Sequence, residues 1–247
     1  MKAPPWLLVS PDLLSSDSLV VLDPDEARHV SGALRLGAGR EVVLADGRGR
    51  VAEAKLVTVG KRKVEAEILS VKASPKPRGE GVTLAVAVVG SKAFDWAVQK
   101  AVEVGVRAFV PVVTQRTQLA KTEVARRLDH WRRVALQSLK QCRRPWAMDV
   151  RDPSLMRDLV QDGAASAGGV VADPDGHRVG ELPRNSGRLL LIGPEGGFSQ
   201  EECELLQRME WPRLRLSRNI LRTETAAVVG GALLVQRDEE FGEADED

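Results

Sequence analysis

The chain has 247 residues, 43% hydrophobic and 29% charged, with a net charge of +1, which supplies apolar material for one large or two smaller cores. Its first ten residues hold an apolar run of only four between prolines and a serine, so neither a signal-peptide core nor a membrane span is expected and the protein reads as soluble and cytoplasmic. Cys142 and Cys203 stand far apart and His29, His130 and His177 are scattered, a pattern that argues against a disulfide framework or a metal site.

From the amino terminus, short alternating apolar runs at residues 42–44, 51–59 and 64–69 are interrupted by Gly37, Gly39, Gly47, Gly49 and Gly60. Alternation of this kind predicts strands with one buried face, and Asp46-Gly47 reads as a hairpin turn. With one helix near residues 25–34, opened by Pro24, residues 1–72 make a small all-β domain, a barrel. The stretch KASPKPRGEG, residues 72–81, is rich in Pro, Gly and Lys and reads as a linker over 73–81.

After it the pattern changes to alternating strands and helices, which predicts an α/β domain with a mainly parallel sheet over residues 82–237. A strand at 82–89 is followed by helical spacing through Phe94, Ala97, Val98, Ala101 and Val102, with Gly105 as its carboxyl cap. A strand at 109–113 precedes a long helix whose apolar face is Val124, Leu128, Trp131, Ala135 and Leu139 and whose other face carries Arg126, Arg127, Arg133 and Lys140. A helix at 155–160 and a strand at 169–172 follow. Residues 238–247 hold seven acids and no base, so the remaining 36 bases and 28 acids leave +8; that tail is expected to be disordered. Basic residues concentrate at 35–63, eight against three acids, and at 121–144, eight against two, the electrostatic footprint of a phosphate backbone or of solvated faces.

Residues 188–236 contain two strand-turn-helix units. In the first, the continuous apolar run 189–192 reads as a strand buried on both faces. Gly193, Pro194, Glu195, Gly196 and Gly197 make a turn whose glycines let a ligand approach the main chain, and Ser199 with Glu202 forms a capping box. The acids Glu195, Glu201 and Glu202 at this helix start argue against a phosphate, and GPEGG lacks the spacing of a dinucleotide-binding loop. In the second unit, a short strand at 213–217 leads into a loop at 217–221, and Thr223 or Thr225 caps a helix. Its small apolar interior, Ala226 to Val235, is buried nearly all round, in one core or at a subunit interface.

LLIGPEGGFSQEE followed by LSRNILRTETAA resembles the paired signature of the bacterial 16S ribosomal RNA uridine-N3 methyltransferases, in the SPOUT superfamily of knotted, S-adenosylmethionine-dependent enzymes. HVSGALRLGAG is similar to the H-x(4)-LR-x-x-x-G of their PUA-like RNA-binding barrel, through His29, Leu34, Arg35 and Gly39. SKAFDWAVQKAVEVGV resembles a further family segment through Lys92, Asp95 or Trp96, Gln99, Lys100, Glu103 and Gly105, and PVVTQRT resembles P-x-x-T-x-R-S with Thr117 for the serine. Departures are Arg143 for a glycine, Met148 for a proline, Ser217 for a glycine, Asn219 for an arginine, and Trp6 or Pro5 where relatives carry an arginine. Arg144 keeps the family arginine.

The resemblance implies a trefoil-knot methyltransferase domain acting on 16S ribosomal RNA or the small ribosomal subunit, as a homodimer, with S-adenosylmethionine as donor and no metal. Donor contacts then fall to Ile192, Gly193, Glu195, Gly196, Gly197, Leu216, Ser217, Asn219, Ile220, Leu221 and Thr223. RNA contacts fall to Arg35, Arg116, Arg143 and Arg144. For the reaction itself the candidates are Arg222, stabilising the developing uracilate, and Glu195 or Glu224 as proton acceptor. An ordinary carboxylate is a weak base for uracil N3 unless burial raises its pKa, so Arg222 ranks first. Uridine N3 lies on the Watson-Crick edge, so the target base must be unpaired or flipped out. Two other readings remain: methylation of another RNA or base atom, and a non-catalytic RNA-binding protein of ribosome assembly.

Overall fold

The computed structural model describes residues 3–14, 19–60, 63–77, 79, 81–117, 119–166 and 168–244. These fall into two units, Met1–Pro77 with Leu139–Ala147, and Arg78–Ser138 with Met148–Asp247.

The first unit contains β1 (Trp6–Leu8), β2 (Leu19–Val21), helix α1 (Pro24–Arg28), β3 (Glu41–Ala45), β4 (Arg50–Val59) and β5 (Val64–Ala73). The strands form one sheet in the order β1-β3-β4-β5-β2. β1 runs parallel to β3 and every other pairing is antiparallel. The period-two pattern explains the core: Ala52, Ala54 and Leu56 on β4 and Val64, Ala66 and Ile68 on β5 are buried, while Glu53, Lys55 and Glu67 between them are exposed. Pro24 occupies the first turn of α1, and Asp23 accepts from Asp25 N at 2.9 Å and Glu26 N at 2.8 Å, which satisfies two amides that a helix start leaves free. The expected helix at 25–34 is thus present in two pieces, since a π-helical turn, His29–Ala33, continues α1.

Two expected boundaries need correction. Residues 74–77 stay with the first unit, so the linker expected over 73–81 is shorter, and residues 78 and 80 lie outside the described residues. The segment Leu139–Ala147 also belongs to this unit rather than to the α/β domain. Lys140 Nζ meets Glu26 Oε1 at 2.6 Å, with both side chains under one-tenth exposed. Gly49 N donates to Pro145 O at 2.9 Å and Ala147 N to Gly47 O at 2.8 Å. Trp146 covers Gly49 so closely that a Cβ there would lie 2.3 Å from the indole, and its Nε1 donates to Pro75 O at 3.0 Å. No local periodicity reports such long-range partners.

The second unit contains β6 (Thr83–Ala87), α2 (Ser91–Glu103), β7 (Ala108–Val113), α3 (Lys121–Arg126), α4 (Leu128–Cys142, whose end passes into the first unit), β8 (Asp149–Val150), β9 (Ser154–Leu155), α5 (Met156–Ser166), β10 (Val170–His177), β11 (Leu189–Ile192), α6 (Gln200–Arg208), β12 (Arg213–Leu214) and α7 (Thr223–Ala244). The sheet order is β12-β10-β11-β6-β7-β8, with β9 also on β7, and every pairing is parallel. All five residues of β6 are buried, as a parallel strand covered on both faces requires. Phe94 on α2 meets Phe109 edge-on at 5.5 Å and Trp131 on α4 at 4.5 Å.

Helix α7 packs on this sheet through its glycines. A Cβ at Gly230 would lie 2.4 Å from Leu190 Cδ2, and one at Gly231 would lie 3.1 Å from Val106 Cγ2, so both small positions serve the core of this unit. The helix continues to Ala244, so residues 238–244 are helical where disorder was expected. Arg188 pairs with Asp238, and Arg237 donates to the Leu182 and Pro183 carbonyls; residues 245–247 lie outside the described residues. Burial pushes the Arg237 guanidinium below its ordinary pKa, against the opposing pull of Asp238. Among the described residues no helix is long and apolar enough to cross a membrane.

Candidate active site

The site is built where β10, β11 and β12 end. Strand β11 is buried and apolar up to Ile192, so the chain must turn at the sheet edge, and GPEGG makes that turn with Gly197 at φ +71°, a conformation that favours glycine. Helix α6 starts immediately beyond it. Ser199 N donates to Glu202 Oε2 at 2.9 Å and Glu202 N donates to Ser199 Oγ at 3.2 Å, the reciprocal capping read from S-x-x-E.

After β12, the loop 215–222 returns toward this turn. Ser217 Oγ accepts from Asn219 N at 3.0 Å, and Thr223 Oγ1 donates to the Gly193 carbonyl at 3.0 Å. That last bond corrects one expectation. Thr223 is not the cap of α7 but its first residue, 3% exposed, and its hydroxyl ties the two loops together.

Between the loops lies a cleft of about 540 Å³, outside the carboxyl ends of parallel strands, where open α/β sheets bind ligands. Ile192, Gly193, Glu195 and Gly197 line it from the first loop, and Leu216, Ser217, Asn219, Ile220, Leu221 and Thr223 from the second. Gly196 does not line it. Its outward side faces Arg116, whose Cδ would lie 3.6 Å from an added Cβ, and its carbonyl accepts from the Arg116 guanidinium. Glu195 is exposed on the cleft wall. Arg222, exposed, and Glu224, half-buried in the first turn of α7, flank the cleft without lining it.

Sequence reasoning missed several wall residues. Asp173 and Pro174 enter from β10, where the register with β12 jumps from Ala172 to His177 across a bulge. Asp173 accepts from Asp175 N at 2.8 Å and from Arg213 Nη1 at 3.3 Å. The D-P-D-G stretch carries turn-forming residues, but nothing local places it beside GPEGG. Phe198, Cys203, Leu206 and Trp211 complete an apolar wall; Phe198 lies against Gly193, where a Cβ would come within 3.0 Å of its ring.

The four arginines expected at RNA fall in different places. Arg116 is exposed beside the cleft in the second unit. Arg35 and Arg143 are exposed in the first unit, each at positive φ, 50° and 59°. Arg143 thereby ends α4, and Arg144 N donates back to the Leu139 carbonyl at 3.3 Å.

Family models divide the chain by sequence near the same linker, without setting residues 139–147 apart. Residues 76–235 match the RNA methyltransferase domain, and residues 22–69 match the RNA methyltransferase PUA domain. Ribosomal RNA small subunit methyltransferase E of Aquifex aeolicus is 30% identical over 187 residues, 73% of this chain and 79% of its own length. A Legionella pneumophila methyltransferase structure in complex with the bound cofactor SAM is 26% identical, with a TM-score of 0.85 over 96% of this chain and 98% of that one. A Ribosomal RNA small subunit methyltransferase E from Neisseria gonorrhoeae, bound to S-adenosyl methionine, is also 26% identical, with a TM-score of 0.83 over 95% of this chain and 98% of that one.

Proposed function

The chain belongs to the RNA methyltransferase family that includes the small subunit ribosomal RNA methyltransferases E, and from that premise we propose that it methylates uridine N3 in 16S ribosomal RNA, using S-adenosylmethionine. The observation that carries this reading is the cleft of about 540 Å³ bounded by the GPEGG turn and the 215–222 loop and closed at its base by the Thr223–Gly193 bond.

A cofactor with an adenine ring, a cationic sulfur and an amino acid end suits this lining. Its apolar side has Trp211, Leu206 and Phe198, its glycine turn exposes main-chain groups, and Glu195 on the wall favours positive charge, while Asp173 is already paired with Arg213 at 3.3 Å. Bound there, S-adenosylmethionine supplies an electrophilic methyl group for an in-line displacement. The residues of the chain hold the acceptor nitrogen in line with it and keep water out. The family resemblance also supports a trefoil-knotted path through these loops.

Arg222 stabilises the negative charge that develops on the uracil; of the two candidate carboxylates Glu195 lines the cleft and Glu224 does not, but Glu195 is exposed, so the reaction rests first on Arg222. The PUA-like unit grips the surrounding RNA through Arg35 and Arg143. The protein acts in the cytoplasm as a homodimer, an assembly that would cover Ile220, an apolar side chain 88% exposed at the cleft mouth.

The test is methyl transfer from labelled S-adenosylmethionine to small ribosomal subunits, followed by nucleoside mass spectrometry. 3-Methyluridine is the expected product. Methyl groups on another atom would replace this reading by a different RNA methylation, and no donor binding by calorimetry would leave only an RNA-binding role. Arg222→Ala is expected to bind donor normally and lose turnover by a factor of about 100 to 1,000.

A further inference from the structure

The loop after β7, residues 114–117, is held against the GPEGG turn and α6 by three bonds. Gln115 N donates to Glu202 Oε1 at 2.9 Å, Gln115 Nε2 donates to Glu201, and Arg116 donates to the Gly196 carbonyl. Within the loop, Thr114 N donates to Thr117 Oγ1 at 3.0 Å. Glu202 is only 7% exposed, and its two oxygens have separate tasks. Oε2 caps α6 by accepting from Ser199 N, whereas Oε1 takes a main-chain amide 87 positions away. Capping α6 requires only the first of these.

We infer that Glu202 is a positioning residue for the methyl transfer proposed above. Through Gln115 it fixes the 114–117 loop, so that the Arg116 guanidinium stands ready at the rim of the donor cleft, against Gly196 and Gly197, to receive a phosphate of the entering RNA strand. The inference rests on that functional reading of the cleft. Its physical basis is the acceptor chemistry of a buried carboxylate: two charge-assisted bonds to backbone amides are stiff and directional, and an arginine whose loop is already ordered loses less freedom when RNA arrives. A glutamine at 202 has one acceptor oxygen, so it can serve Ser199 N or Gln115 N but not both, and its amide N–H would face the remaining donor.

Four variants of the full-length protein test this. E202Q weakens the link from the carboxylate side, and Gln115→Pro removes the amide, together with the side-chain bond to Glu201, while leaving the cap of α6 intact, which covers the case that E202Q folds poorly. Ser199→Ala loses the cap hydroxyl and keeps the Gln115 bond. R116A removes the guanidinium.

Expected results are faster hydrogen exchange across residues 114–117 in donor-free E202Q, donor affinity unchanged by calorimetry, and a KM for small-subunit RNA raised about tenfold with a smaller change in kcat. Gln115→Pro should reproduce the KM effect, Ser199→Ala should not, and E202Q should add little to R116A in a double-mutant cycle. Unchanged exchange, effects of E202Q and R116A that multiply independently, or an equal KM increase in Ser199→Ala would each overturn the assignment. Wild-type protein that binds donor but methylates no small-subunit RNA would overturn the functional reading instead, and the exchange comparison would still report on the loop.

Discussion

Gly193 and Gly196 sit in the same turn, yet a side chain at each would meet different neighbours. A Cβ at Gly193 would press on the Phe198 ring at 3.0 Å, and Phe198 is itself a wall of the cleft. Gly193→Val should therefore push that ring into the donor space and weaken S-adenosylmethionine binding by more than tenfold, or about 1.4 kcal/mol, in a calorimetric titration. Gly196→Val would meet Arg116 instead, and its first effect should fall on RNA binding, with donor affinity retained. The sequence identified the turn because glycines and a capping box are local signals. It did not tell which glycine faces the ligand, since that depends on Phe198 and Arg116, one of them 80 positions away. Thr223 was misread for a related reason: the residue type suits a cap, but its hydroxyl has the Gly193 carbonyl within reach.

Among the elements, the strands and helices with regular burial were the legible ones. Residues 51–59 and 64–69 alternate and became β4 and β5, and the continuous apolar runs became the buried parallel strands β6 and β11. The last turn of α4 and the residues after it were misassigned, because the apolar stripe of the helix runs on to Leu139 while the partners change there. Two buried interactions hold this stretch. Removing the Lys140 charge leaves Glu26 buried without its cation, and Glu26 Oε2 already has no partner. Lys140→Met is expected to cost about 3–5 kcal/mol in urea denaturation, with much of it regained when Glu26→Gln is added. Gly49→Ala combines a collision with Trp146 at 2.3 Å and a φ of +95°, and should destabilise by about 2 kcal/mol or more by the same measurement.

For the molecule as a whole, the change from period-two to strand-and-helix patterning located both units, but not the fact that one of them is discontinuous in sequence. The first unit takes residues through Pro77 and then Leu139–Ala147. A peptide ending at residue 77 would therefore be an incomplete β domain: no Trp146 over Gly49, no Pro145 carbonyl for the Gly49 amide, and a buried carboxylate at Glu26 with no counter-ion. During synthesis the same shortage applies, because about sixty further residues must leave the ribosome before the missing piece is available. Cutting the gene at the apparent linker should give an amino-terminal product that is degraded or needs residues 139–147 supplied separately, so modular dissection of this enzyme has to follow the spatial boundary.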